Sequence, residues 1–443
     1  MNIDYKFNFS QKSTLLTNFL DQEKDGLFYI GHASILVQLN KKKFIFDVVH
    51  QNPPYNNSWL FFPSQIMDKR LFNVDAVFIS HVHQDHYDPK FLKIIQKKKI
   101  PIYIVEGRVN FENILKQNKI KFKKIPVGRK IYFDKNIWLT GCLHEHNSID
   151  SSIVISNNKL TIYHGNDNYL TEKNLSPLKK LVGGIDIGCI PFSFIHWYPF
   201  LLDGVTEKWR KTEGKRLIKQ FLNLGVQTAK ILDPKLVIPF GANLVYADNY
   251  DSAMNRAVVS PIDFVEYAKK IDSKKKRYLK IFSGGYIISD NGLLKPRYET
   301  VSKKKFKAEL KKFLINSLSK NNIVTNYKKQ IKINLNNIGN FSWIEEKLNK
   351  NKKKIKFNLI LQDEKIDNNK ILINLKNNKA KIINKIDNSL APYQYFKINS
   401  YVFNKWLNQE IRFEEIIGTR RFRLTRVPNK YNLNVNEICT NYL

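Results

Sequence analysis

Residues 80–88 read Ser80-His81-Val82-His83-Gln84-Asp85-His86-Tyr87-Asp88, directly after the apolar run Val74-Asp75-Ala76-Val77-Phe78-Ile79. That run is short and rich in strand-forming side chains, which predicts a buried β-strand ending where the histidines begin. On an extended backbone residues i and i+2 project to one side, so His81 and His83 can grip one ion together. Asp85 and His86, past the strand end, can turn toward a second ion. Imidazole nitrogen mixed with carboxylate oxygen suits zinc, iron or manganese better than calcium or magnesium. Three of only nine histidines fall within these six positions, and a metal site explains that clustering better than a solvated polar loop does.

The H-x-H-x-D-H pattern resembles the metallo-β-lactamase superfamily, and its surroundings fit in chain order. Gly31-His32-Ala33-Ser34 is similar to the strand entry of the lactonase-like branch, and Phe44-Ile45-Phe46-Asp47 to the strand whose terminal aspartate supports the metals. Pro89 stands where the lactamase, glyoxalase II and transfer-RNA nuclease branches have glycine, while Asp88 matches the lactonase-like branch. That branch includes ascorbate-6-phosphate lactonase, N-acylphosphatidylethanolamine phospholipase D and the catalytic region of CMP-N-acetylneuraminate hydroxylase.

The resemblance implies an α/β fold, an αββα sandwich with metals at one sheet edge. It also implies two divalent metal ions, zinc foremost, with iron or manganese as alternatives. The implied metal ligands are His81, His83, Asp85, His86, His144 and Asp167, with Asp167 bridging and with Asp85 and Asp167 as the groups that handle protons. His32 and Asp47 are expected to support the ligands from behind. In Leu143-His144-Glu145-His146, spacing alone leaves His146 as an alternative to His144. His164, in His164-Gly165-Asn166-Asp167, is a further candidate but reads more readily as a core or supporting residue. Most members supply a last histidine near the end of the fold, yet none follows His196 here. His196 is therefore a candidate to complete the second site or to line a substrate pocket, and equally a core histidine.

Composition bounds the rest. The 443 residues are 43% hydrophobic and 13% aromatic, which allows two domains with real cores. We place a catalytic domain over 1–300 and a lysine-rich α+β accessory domain over 301–443. Three cysteines give neither a disulfide framework nor a zinc ribbon. Cys142-x-His144 lacks the Cys-x-x-His half of a Rieske iron–sulfur pattern. The N-terminal residues do not read as a signal peptide, and the longest apolar stretch, Leu181 to Leu202, is broken by Asp186, Pro191, His196 and Pro199. No transmembrane segment is expected, and a cytoplasmic location is.

The net charge of +35 comes from 74 Lys+Arg against 39 Asp+Glu. Its lysine runs are scattered beside asparagine-rich stretches, so compositional drift explains it better than a dedicated polyanion surface. The four arginines of 420–426 could ring an anionic ligand, or pair with carboxylates on a solvated strand. The loops 48–68 and 192–208 carry Trp59, Phe61, Phe62, Trp197 and Tyr198, suited either to an organic ligand or to packing the loops down.

The expected activity is a metallo-hydrolase acting on a small anionic substrate, bearing phosphate or carboxylate, through metal-activated water. The alternative is a diiron oxygenase resembling the hydroxylase, with electrons from an external donor. A nucleic-acid-processing hydrolase is a weaker third reading, and nucleic acid is not the expected partner.

Overall fold

The structure, a computed structural model, describes residues 12–48, 53–143, 149–249, 251–320, 341–351 and 354–443. The chain forms two compact units. One comprises Met1–Pro54, Trp59–Ile195 and Lys215–Asn316, the other Tyr55–Ser58, His196–Gly214 and Ser317–Leu443.

The first unit is built on two sheets. One contains β1 (Gly26–Gly31), β2 (Ser34–Leu39), β3 (Lys42–Phe46), β5 (Ala76–Ile79), β6 (Ile102–Val105), β7 (Lys123–Ile125), β15 (Tyr286–Asp290) and β16 (Leu293–Arg297), in the order β16-β15-β1-β2-β3-β5-β6-β7. The other contains β8 (Ile131–Tyr132), β9 (Trp138–Leu143), β10 (Ser151–Ser156), β11 (Thr161–His164), β12 (Ile187–Pro191) and β13 (Leu236–Phe240), in the order β13-β12-β11-β10-β9-β8. In each sheet a parallel half (β3-β5-β6-β7 and β11-β12-β13) adjoins an antiparallel half.

Both faces of each sheet are covered, so the central strands are apolar throughout, and the two-residue period sorts side chains between different cores. Phe44, Phe46, Ala76 and Phe78 enter the core between the sheets, with Ile153, Ile155, Ile162, Ile187 and Phe240 opposite. The alternate residues Ile45, Val77 and Ile79 face outward and pack under the helices Lys12–Leu20, Pro89–Lys97 and Val109–Gln117. On the far side Trp138, Val154, Tyr163 and Val237 pack under Glu172–Val182, Glu207–Leu232 and Pro261–Ile271. The helix Pro89–Lys97 starts where the sequence demands it. Asp88 accepts from the Lys90 and Phe91 backbone N–H groups, and Pro89 fills the first turn, where no N–H is needed. These layers form an αββα sandwich.

One expected loop contains a strand. Within 48–68, β4 (Trp59–Phe61) pairs antiparallel with β14 (Leu244–Tyr246). Three aromatic or apolar residues are too short a run to announce a strand locally; the partner is nearly two hundred residues away.

The second unit holds a sheet of β17 (Asn358–Asp363), β18 (Lys370–Asn374), β19 (Lys379–Ile383), β20 (Tyr393–Ile398) and β21 (Phe422–Val427), in the order β19-β18-β17-β20-β21. Its own core includes Trp406, fully buried, whose ring meets those of Trp343, Phe403 and Phe413. Among the described residues no helix is long and apolar enough to cross a membrane.

Candidate metal centre

The chain turns repeatedly at one edge of the sandwich, beyond the carboxyl ends of the parallel strands β3, β5, β11 and β13. In α/β sheets this edge gathers ligands, because strand ends and their loops converge there. Asp47 follows β3, the histidine cluster follows β5, and Asn166 and Asp167 follow β11. Antiparallel pairing of β10 with β11 brings Asp150 and Ser151, at the start of β10, to the same edge. His32 occupies the turn between β1 and β2.

The ligand atoms fall into three groups, each within 4.8 Å: His81, His83 and Asp150; His32, Asp85 and His86; and His81, His86 and Asp167. The third group shares one histidine with each of the others, so Asp167 belongs with both. His81 Nε2 and His83 Nδ1 face each other at 2.8 Å, with Asp150 Oδ1 3.4 Å from His81 Nε2. Asp85 Oδ2 lies 3.0 Å from His32 Nε2 and 3.1 Å from His86 Nε2, and Asp167 Oδ2 lies 3.3 Å from His86 Nε2.

A polar framework holds these groups. Asp47 is fully buried and accepts from His86 Nδ1 at 2.7 Å, from the Ser80 N–H at 2.8 Å and from the Ser80 hydroxyl. Its carboxylate therefore turns the His86 ring so that Nε2 faces the other ligands. Asn166 brings its amide to 3.0 Å from His81 Nδ1, and the Ser151 hydroxyl donates to the Ser80 carbonyl at 2.5 Å. His32 (φ 51°), Asp47 (φ 56°) and Asn166 (φ 56°) are all left-handed, a conformation that His, Asp and Asn tolerate better than bulkier residues. Three such residues at one edge are the kind of local strain that collects at functional sites. Gly241, just past β13 with φ 76°, completes the wall: a Cβ there would lie 3.0 Å from Asp167 Oδ1.

No family model matches the chain. In sequence it is similar to cytidine monophosphate-N-acetylneuraminic acid hydroxylase of Cricetulus griseus, 26% identical over 261 residues, covering 55% of this chain and 44% of that protein. It is also similar to a Rieske 2Fe-2S iron-sulfur protein of Mycolicibacterium smegmatis, 28% identical over 186 residues, covering 39% and 35%. The chain thus spans less than half the length of these curated relatives. Among solved structures it is similar to Igni18, a metallo hydrolase of Ignicoccus hospitalis, at TM-score 0.38 and 15% identity, covering 56% of this chain and 91% of that one. The chain folds as the αββα sandwich that the resemblance to the metallo-β-lactamase superfamily implies.

At this sheet edge the donors suit a cation. His86 Nε2 is buried and makes no hydrogen bond, although it faces two carboxylates. Burial alone would lower the His86 pKa, but the charges of Asp85, Asp167 and Asp47 hold it well above the ordinary value. Burial would likewise raise Asp85, and His86 and His32 overcome that and hold it well below the usual carboxylate range. His81 is driven well below, by burial and then by the charges of His86 and His83. Packed carboxylates that favour positive charge, beside imidazoles that resist protons, make a setting in which a cation satisfies both.

The other sequence candidates lie as follows. His164 is in the core, its ring 5.1 Å from that of Phe46 and 4.7 Å from that of Phe240, with Nε2 donating to the Ala33 carbonyl at 3.2 Å. None of the three groups includes it. His196 is in the second unit and in none of them either. His144 and His146 lie outside the described residues. Sequence reading missed Asp150 as a donor, having taken it only as the lead-in to a strand. His32, expected as a supporting residue, places its Nε2 3.0 Å from Asp85 Oδ2. The signal for His32 was its glycine neighbour: Gly31-His32 forms a tight turn (Gly31 φ 138°) that swings the imidazole to the edge.

Proposed function

We propose that this chain is a metal-dependent enzyme, a hydrolase whose centre takes two divalent cations and acts on a small anionic substrate. The observation that carries the reading is the linked set of three donor groups around His81 and His86, with the buried His86 Nε2 left without a hydrogen bond. In this reading His81, His83 and Asp150 form one pocket, joined by His144 or His146 from the segment after β9. His32, Asp85 and His86 form the other, and Asp167 serves both. The mixed imidazole and carboxylate set suits zinc, iron or manganese, zinc being our first choice.

Cations bound there supply Lewis acidity and bring the pKa of water toward neutrality. The protein's part is orientation and proton handling. Asp47 fixes the His86 tautomer with its hydrogen bond to Nδ1, and Asn166 and Ser80 hold the His81 ring. Asp85 stays a carboxylate at neutral pH. Asp167, whose side chain is 30% exposed while Asp85 and His86 are buried, is the group placed to exchange a proton with solvent. A scattered positive charge favours anionic substrates.

The test is turnover of anionic lactone, ester, amide and phosphodiester substrates by protein loaded with zinc, iron or manganese. Metal-dependent hydrolysis that falls about 100-fold or more in Asp167→Asn is expected. A second reading has its own support: the relatives matched by sequence are named as hydroxylases and as a Rieske protein. There the same residues would serve an iron-dependent oxygenase supplied with electrons by a separate donor. Oxygen uptake by the iron-loaded protein with an added reductant, and no hydrolysis with any metal, would move the assignment to that reading. Neither activity with any metal would end both.

A further inference from the structure

Three helices, Glu207–Leu232, Pro261–Ile271 and Lys303–Lys320, line a cavity of about 510 Å³, and every residue on its wall belongs to the first unit. Each helix turns one stripe toward this space, with lining residues four apart: Ile218 and Leu222, Glu266 and Lys270, Phe306 and Leu310. Protein interiors ordinarily pack with few voids larger than a water molecule. Here Leu222, Val259, Phe306 and Leu310, none more than 8% exposed, leave a space within the range of small-molecule sites, about 300–1,000 Å³. Phe306 is itself held by ring contacts with Phe62 at 5.2 Å and Phe282 at 5.5 Å, so this wall is already formed.

The polar side chains around the cavity decide what it accepts. The carboxylates that line it are matched: Asp263 Oδ1 is 2.5 Å from Lys303 Nζ, and Glu266 lies 3.6 Å from Lys303 and 3.7 Å from Lys280. Lys270 and Lys307 also line it, are exposed, and form no ion pair among the described residues. The Tyr267 hydroxyl makes no hydrogen bond among the described residues either. Two ammonium groups and a hydroxyl above an apolar floor call for an acid group on an apolar body. The body takes the walls out of water, and the acid meets the lysines.

We propose that this cavity binds an amphiphilic organic anion, its alkyl body against Leu222, Val259, Phe306 and Leu310 and its carboxylate or phosphate at Lys270 and Lys307. The site is separate from the metal centre, since none of the three donor groups contributes a residue to its wall. This inference does not rest on the reading of that centre.

The experiment is calorimetric titration of the full-length protein with decanoate and, separately, with decyl phosphate, below micelle-forming concentrations and with decanol as the uncharged control. The wild type is compared with Lys270→Gln/Lys307→Gln, with Leu310→Trp and with His81→Ala/His83→Ala. One anion at least is expected to saturate at one site per chain and to bind about fivefold or more weakly in the lysine variant. It should be lost in Leu310→Trp, whose indole takes the space, and retained by the histidine variant. The tighter anion identifies the head group. No saturable binding of either anion, decanol binding as tightly as both, or affinity unchanged in the lysine variant would overturn the proposal. So would binding kept by a folded Leu310→Trp or lost in the histidine variant. Lys270 and Lys307 are exposed, so their double variant keeps the fold and still gives the answer should Leu310→Trp not fold.

Discussion

Replacing Asp47 with asparagine tests the framework behind the metal centre without touching a proposed ligand. Asp47 has φ 56°, a region that asparagine adopts with little strain, so the backbone is preserved. One side-chain oxygen can still accept from the Ser80 N–H at 2.8 Å. The other, 2.7 Å from His86 Nδ1, becomes an amide that cannot accept the ring proton. His86 then favours the tautomer with hydrogen on Nε2, which removes the lone pair facing Asp85 and Asp167. A hydrogen bond to a charged group contributes about 1.5–3 kcal/mol. Loss of a residue that orients a ligating histidine typically costs about 10–100-fold in metal affinity, or about 1.4–2.7 kcal/mol. The two ranges agree, so competition against a calibrated chelator is expected to read a drop of that size. A variant that unfolds in urea like the wild type yet binds metal within about twofold of it would refute the role given to Asp47.

Other substitutions follow from the same geometry. Gly241→Ala places a Cβ against Asp167 Oδ1 at a left-handed backbone position, and should weaken metal binding and activity together; unaltered chelator competition would show that this wall is not required. Phe46→Ala empties a site in the inter-sheet core beside Phe78, at a cost of about 3–5 kcal/mol in denaturant unfolding. A change below about 1 kcal/mol would mean that the two sheets do not share this core. His196, pushed down to about 3 against an ordinary value near 6.5, binds fewer protons folded than unfolded between those pH values. Its stabilising contribution is therefore complete above pH 6.5 and declines as pH falls toward 3. The His196 imidazole resonances should stay unshifted from pH 8 to 5, and a midpoint near 6.5 would contradict the lowering.

What could be read from the sequence was what is local. Ala76–Ile79 declares itself a strand by composition, and the histidines that follow are contiguous, so their gathering needs no tertiary information. Asp47 and Asp167 are expected from the resemblance, each standing at or just past the end of an apolar run that reads as a strand. Asp150 reaches His81 only through the pairing of β10 with β9 and β11, a register that no local pattern announces. The role of His32 depends on a positive φ in a tight turn, and the β4–β14 pair depends on two three-residue runs far apart in the chain. Arg426 looked like one of four equivalent arginines until strand alternation separated it from Arg423, which pairs with Asp203.

The most direct test of the account is metal content. Protein purified anaerobically from cells given both iron and zinc, and analysed for both elements, is expected to carry close to two ions per chain. The His81→Ala/His83→Ala variant should lose at least one of them, and Asp47→Asn should hold them more weakly. Less than one ion per chain in the wild type, or a content untouched by loss of both histidines, would contradict the assignment of this edge as a binuclear metal centre.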